Sequence, residues 1–136
     1  MVGGTFLDAT YPVPASTVVG HEIVFARIPT SARISGLSRI NNDALGASVT
    51  LALGLKAVNG NFTTNTTALA AAFAVATAAT NVQIFGDHVN ASRMVWELLG
   101  LASDPGGFAD VIGTTAGATT TASIQDVTMN LYYSVD

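Results

Sequence analysis

Apolar and polar positions alternate with a period of two along much of this 136-residue chain. Over residues 17–29 (TVVGHEIVFARIP), His21, Ile23, Phe25 and Arg27 share one parity, and Glu22, Val24, Ala26 and Ile28 share the other. β-branched and aromatic side chains dominate, which predicts a strand that Pro29 ends. Residues 32–40 (ARISGLSRI) alternate again, and Asn41-Asn42-Asp43 after them predicts a turn. Residues 48–57 (SVTLALGLKA) give the clearest strand, with Val49, Leu51, Leu53 and Leu55 on one face and Thr50, Ala52 and Lys56 on the other. Asn59-Gly60 then signals a hairpin, with Asn61-Phe62-Thr63-Thr64 returning from it. Further strands are expected over 80–86, with Val82 and Ile84 facing one way, over 108–115, and over 122–135. Asp104-Pro105-Gly106-Gly107 is a turn, and 116–121 (AGATTT) a loop tip.

Three segments depart from this pattern. Residues 66–79 (TTALAAAFAVATAA) are Ala-rich, with Leu69, Phe73 and Ala76 at helical spacing and Thr66 or Thr67 as a cap, which predicts one short helix. Residues 92–101 (SRMVWELLGL) read as a helical turn or as a strand entering a bend. Residues 1–16, with Gly3-Gly4, Pro12 and Pro14, read as an extended arm. That arm is either a frayed terminus or a segment that crosses onto a neighbouring molecule, with Phe6, Leu7 and Tyr11 as its anchors. The sum is about seven or eight strands, one helix and frequent Gly and Asn turns. It predicts a mainly β fold: an antiparallel, jelly-roll-like β-sandwich, or a small barrel. The expected organisation is an arm over 1–16 and a single sandwich domain over 17–136.

Composition narrows the function classes. Charged residues are 10 % of the chain, against about 25 % in typical soluble domains. Five basic against nine acidic residues cannot supply a nucleic-acid footprint. Mean hydropathy is +0.47, yet the longest apolar stretch, Ala68 to Ala79, is interrupted by Thr77. A membrane helix needs roughly 18–20 such residues, so no membrane partner is expected. The first residues also lack the basic and apolar regions of a signal peptide. High hydropathy without a span is explained by Thr, Ser and Ala on the surface, or by coverage from neighbouring subunits. With no cysteine and two histidines, thiolate chemistry is absent, a multi-His metal cage is not expected, and no cofactor is implied.

Candidate chemistry is sparse. Asp87, His88 and Ser92 are the right residue types for a hydrolase, but adjacent residues point apart and no G-x-S-x-G stands in the chain. The acids Asp43, Asp87, Asp104 and Asp110 are scattered in turns, where aspartates bond their own backbone. Asp104 and Asp110 flank one loop and are near enough in sequence to share an ion, but a capped turn accounts for them. Asn61, Asn65 and Asn90 begin N-x-[ST] sequons of no consequence without a secretory signal. Four of the five basic residues are arginines: Arg27, Arg33, Arg39 and Arg93. Arginine is enriched at protein interfaces, so these join Phe6, Leu7 and Tyr11 as interface candidates, the alternative being isolated surface charges. Trp96, in an apolar segment, reads first as core and second as an interface anchor.

Residues 96–107 (WELLGLASDPGG), the following strand and Thr/Ala/Gly tip, and the terminal Leu131-Tyr132-Tyr133-Ser134-Val135-Asp136 resemble small structural proteins of tailed bacteriophages. The opening arm, Ala26-Arg27-Ile28-Pro29, Ala32-Arg33-Ile34 and the Leu-Gly-Leu strand within 48–64 are similar too. The resemblance implies a non-enzymatic virion protein of the head decoration (cement) type, made in the host cytoplasm. It would bind the outer capsid surface, with the major capsid protein and itself, as a homotrimer, for partners. It offers no catalytic residue. The competing readings are another virion part (head fibre, neck or tail tube), a carbohydrate-binding module with exposed aromatics beside polar groups, and a small hydrolase.

Overall fold

The computed structural model describes residues 4–85, 90–91, 93–121 and 124–135. Nine strands and one helical turn follow in order: β1 (Thr5–Val13), β2 (Glu22–Pro29), β3 (Arg33–Ile34), β4 (Arg39–Asn42), β5 (Thr50–Ala57), β6 (Asn65–Ala74), β7 (Ala79–Gln83), α1 (Val95–Leu98), β8 (Phe108–Ala116) and β9 (Gln125–Ser134). They form two antiparallel sheets. Sheet A has the order β1-β9-β4-β7, with β3 beside β9, and sheet B the order β2-β8-β5-β6. The chain passes back and forth between the sheets, so that β9, the last strand, lies between β1 and β4. This is the two-sheet arrangement of a jelly roll.

Alternation places the core between the sheets. Val127, Met129 and Leu131 of β9 and Ile40 of β4 face Ile23 and Ile28 of β2, Leu51, Leu53 and Leu55 of β5, and Val111 of β8, each at most 1 % exposed. The parity of β2 changes midway. A bulge between Val24 and Ala26 turns Phe25 inward and resets the strand, so Ile28 joins Ile23 inside while Arg27 turns out. Strict alternation across 17–29 therefore holds only as far as Phe25. Gly113 makes room for that ring: a Cβ there would lie 3.0 Å from Phe25 Cε2 and 3.1 Å from Leu51 Cδ2. At Asn59 and Gly60 φ is +56° and +70°, the left-handed pair that a tight turn requires.

The Ala-rich segment is a strand and not the expected helix. β6 pairs with β5, and its partners advance faster than those of β5: Leu51, Leu53 and Leu55 face Phe73, Ala70 and Asn65. The surplus residues bow β6 over the outer face of sheet B. Gly54 shows how close it comes, because a Cβ there would stand 2.3 Å from the Asn65 carbonyl oxygen. Small side chains suit that crossing, and pairing with β5 overrides the helical preference of alanine. Ile112, opposite Gly54 and Val24 on this face, is fully buried. The Lys56 ammonium reaches Glu22 at 2.7 Å, on a diagonal that crosses Ile112. That pairing raises the Lys56 pKa, chiefly through the hydrogen bond and then through the carboxylate charge.

Other expectations need correction. Asn41 and Asn42 belong to β4 and not to a turn, and the strand expected over 32–40 is split into β3 and β4. Val82 is 37 % exposed and Ile84 1 %, because Ile84 lies past the end of β7 and turns inward. Trp96 is half-buried on α1, its Nε1 donating to Met94 Sδ, so it is not a core side chain. The 92–101 segment takes the helical option at Val95–Leu98, which is the one short helix among the described residues. Thr5–Val13, most of the segment read as an arm, lies as edge strand β1 in register with β9 of its own chain.

The Gly54 contact predicts that Gly54→Ala lowers unfolding free energy by about 2–4 kcal/mol, since backbone and not a flexible side chain fills the space. Urea denaturation should show a lower midpoint with an unchanged slope. A change within error would mean that β6 does not cross there.

Candidate interaction surface

The strand beside β9 is interrupted. Ile34 pairs with Tyr133 and Arg39 with Asn130, so four residues, Ser35 to Ser38, face two on β9. The excess loops out as a turn. Its base is closed by Ser38, which is 1 % exposed: the Tyr132 N–H donates to Ser38 Oγ at 3.0 Å, and that hydroxyl donates to the Tyr132 carbonyl at 3.2 Å. A side chain thus carries on the ladder where backbone is missing. The Ser35 N–H adds a second bond to the Tyr132 carbonyl at 2.8 Å. The Leu37 N–H donates to Ser35 Oγ, and Arg39 Nη1 donates to the Gly36 and Ser38 carbonyls at 2.7 and 3.1 Å. Leu37, at the tip of this fixed turn, is 64 % exposed.

Aromatic residues surround it. Phe6 of β1 pairs directly with Tyr132 of β9, their ring centroids 4.7 Å apart and tilted by 40°. Both are exposed, as is Val135. A mainly apolar groove of about 440 Å³ runs between the start of β1 at Gly4–Thr5, the end of β9 at Tyr132–Ser134, and Arg33, Ser35 and Leu37. The rest of this outer face is polar. The Asn81 N–H donates to Asn41 Oδ1, Asn41 Nδ2 to Asn130 Oδ1, and Asn130 Nδ2 to Asp8 Oδ1, at 2.8, 2.8 and 3.0 Å. This amide row crosses all four strands from β7 to β1, and Thr10 and Thr128 bond beside it at 2.8 Å. One end of the sheet is therefore prepared for water and the other is not.

The seven interface candidates do not form one site. Phe6, Arg33 and Arg39 converge here, as aromatic wall, groove wall and turn brace. Leu7 and Tyr11 lie on the inner side of β1, half-buried against the core, and Tyr11 Oη bonds His21 Nε2 at 3.0 Å to tie β1 to the chain before β2. Arg27 sits on the opposite sheet, its Nε and Nη2 forked onto Asp110 at 2.8 and 3.2 Å. That hydrogen bond, with the carboxylate charge, raises the Arg27 pKa further above its ordinary value. Arg93 is exposed just before α1. Leu37 was not among the candidates. Its signal was a glycine and two serines interrupting an alternating run, which marks a bulge or break in a strand.

The remaining chemistry is structural. Asp104 Oδ1 caps its own turn by accepting from the Gly106 N–H and Thr30 Oγ1. The Asn61 amide is committed to the Gly106 and Phe108 carbonyls and to the Val58 N–H. Asp87, His88 and Ser92 lie outside the described residues. Among the described residues, no three His, Asp or Glu side chains gather as metal ligands, and no helix is long and apolar enough to cross a membrane.

In fold, the chain is similar to one in a solved structure titled "Cyanophage Pam1 capsid asymmetric unit". The TM-score is 0.67 and the sequence identity 14 %, and the match covers 98 % of this chain and 85 % of that one. No family model matches the sequence, and no curated protein matches it.

Ser38→Ala removes the hydroxyl that accepts from the Tyr132 N–H and leaves that amide unpaired, while the Ser35 N–H still serves the Tyr132 carbonyl. The expected loss is about 1–3 kcal/mol, the usual consequence of stranding a buried polar group. Amide exchange at Tyr132 should also accelerate. Unchanged exchange at that amide would show that the turn does not depend on the hydroxyl.

Proposed function

We propose that this protein is a non-enzymatic structural component of a bacteriophage virion: a head decoration (cement) protein that binds the outer capsid surface as a homotrimer and stabilises the shell. The observation that carries the reading is a fold likeness spanning nearly all of this chain and most of a chain from a phage capsid. At this identity it speaks to fold, so the role rests on the surface as well.

That surface fits a subunit made to pack. A fixed apolar tip, an exposed aromatic pair and an adjoining groove give a contact region whose side chains are already held in place. Pre-ordered apolar groups lose little entropy on docking. Low charge limits repulsion between closely spaced copies. Symmetric association would cover apolar area that a monomer leaves in water. The partners on this reading are the major capsid protein and further copies of the chain, and the place is the virion. Phe6 and Arg33 would make direct contact, with Arg39 holding Leu37 in position. Phe6 and Tyr132 beside Ser35 and Arg33 also suit a sugar-stacking face, the feature that would favour a carbohydrate-binding module.

The test is mass in solution by light scattering after size exclusion, followed by binding to empty shells of its own phage. A trimer that binds shells is expected. Leu37→Asp should weaken shell binding or trimer formation by at least about tenfold while shifting stability by no more than about 0.5 kcal/mol, as for a surface substitution. A monomer indifferent to shells, but retained on a glycan array through Tyr132, would replace this reading with the carbohydrate one.

A further inference from the structure

Each sheet of the sandwich has two end strands, and an end strand leaves one row of backbone groups without a neighbour. Three of these four strands are irregular. β2 is bulged between Val24 and Ala26, and β6 shifts register twice against β5. β7 is five residues long, shifts against β4 and carries Asn81 at a φ of +56°. Such irregularities spoil an edge as a template for pairing. β1 has none of them: its nine residues stay in register with β9 throughout, and it holds no lysine or arginine. Asp8 and Pro12 are its only edge-guarding residues.

The hydrogen bonds of β9 show which backbone groups of β1 are free. The Asp126 N–H donates to Asp43 Oδ2 and the Asp126 carbonyl accepts from the Asp43 N–H, both at 2.9 Å. The Tyr132 backbone is likewise taken by Ser38 and Ser35. Both residues thus turn their backbone groups away from Pro12 and Phe6, which stand opposite them on β1. In an antiparallel ladder such unbonded pairs alternate with bonded ones. Leu7, Ala9 and Tyr11 therefore bond β9, and Phe6, Asp8 and Thr10 turn their N–H and C=O groups to the open edge. Pro12 agrees, since a proline in a sheet sits where its missing N–H would face outward. Among the described residues nothing bonds the backbone of Phe6, Asp8 or Thr10.

We propose that β1 of one copy pairs antiparallel with β1 of a second copy, so that sheet A continues across a two-fold axis. The occupant follows from the edge itself. A regular row of free donors and acceptors needs another of the same kind, and among the described end strands only a second β1 offers one. Charge and hydrogen bonding then limit the register. An axis at Asp8 sets two carboxylates directly opposite, which is destabilising. An axis at Ala9 places Phe6 against Pro12, which has no N–H to give. An axis at Leu7 engages Phe6, Asp8 and Thr10 alike: Phe6 of each copy exchanges both backbone bonds with Asp8 of the other, and Gly4 with Thr10. Leu7, half-buried against the core, then meets Leu7 of the second copy and gains cover. A two-fold contact is isologous and cannot close a ring of three. It is therefore separate from the contact that would build the proposed trimer, joins one such unit to the next, and stands or falls on its own.

Two measurements on the full chain test this. Amide exchange of the native protein is followed residue by residue in concentrated and in dilute solution. In concentrated solution the Phe6, Asp8 and Thr10 amides should exchange at least about tenfold more slowly than unbonded ones, and dilution should release them. Leu7, Ala9 and Tyr11, bonded to β9, should stay protected in both. The chain has no cysteine, so single cysteines report the register without background. Leu7→Cys should form a disulfide dimer under mild oxidation, because an axis at that position brings the two Cα atoms within about 4.5–5.5 Å. Ala9→Cys should not, since its two copies lie roughly 13 Å apart along the strands. An Asp8 amide that exchanges in concentrated solution as fast as an unbonded one, or cross-linking of Ala9→Cys as strong as that of Leu7→Cys, would each overturn the proposal. So would protection of Asp8 that arises only when empty shells are added, which would assign the edge to a strand from the shell.

Discussion

Sheet A depends on its last strand. β9 pairs with β1 over nine consecutive positions on one side and with β3 and β4 on the other, so the first and last strands must meet before that sheet exists. Nothing covalent helps, because the chain has no cysteine. The stability of the arrangement rests on a row of inward side chains, Val127, Met129 and Leu131, that cannot be buried unless both neighbours are in register. Pairings this distant in sequence make folding slow relative to helical proteins of the same size. They also explain why Ser38 matters: where the β3–β4 strand breaks, its hydroxyl gives the Tyr132 N–H its acceptor and shares the Tyr132 carbonyl with the Ser35 N–H, and β9 stays continuous.

Each sheet must then deal with the face turned away from the core. Sheet B covers part of its own: β6 bows across Gly54, and Lys56 reaches over Ile112 to Glu22, while Val24 and Phe108 stay exposed. Sheet A treats its two ends differently. An amide row from Asn81 to Asp8 dresses one part for water, while Phe6, Leu37 and Tyr132 are left bare at the other. What distinguishes the apolar end of sheet A is that Leu37 and Tyr132 stand at one groove, with Phe6 stacked on Tyr132.

The sandwich was legible wherever period-two alternation met a regular strand. β5 and β8 were readable because Leu51, Leu53 and Leu55, and the run after Gly107, face a regular core. The departures share a cause: the local pattern was overruled by a contact with a distant part of the chain. Residues 66–79 carry helical spacing, yet the space above Gly54 and the open edge of β5 make them a strand. The parity of β2 changes after Phe25, at the bulge against β8, where Gly113, nearly ninety residues on, leaves a place for the Phe25 ring. Asn41 and Asn42 look like turn residues, but their amides serve the outer row and the loop at Val75 to Thr77. At the apolar end of sheet A, the sequence marks Phe6, Arg33 and Arg39 as interface candidates, while Leu37 looks like one more apolar position in an alternating run.

The arginines show what composition alone leaves out. As a set they suggested charged contacts to a partner. In the fold, Arg27 is forked onto Asp110 and Arg39 holds two carbonyls of the Leu37 turn. Donors already committed within the chain have less to offer a partner, and breaking them to form new pairs would cost about as much as it returns. What Arg39 contributes instead is rigidity, because a turn held at Gly36 and Ser38 presents Leu37 in one geometry. On the proposed role, affinity at such a surface would come from desolvating Leu37, Phe6 and Tyr132 and would depend little on salt.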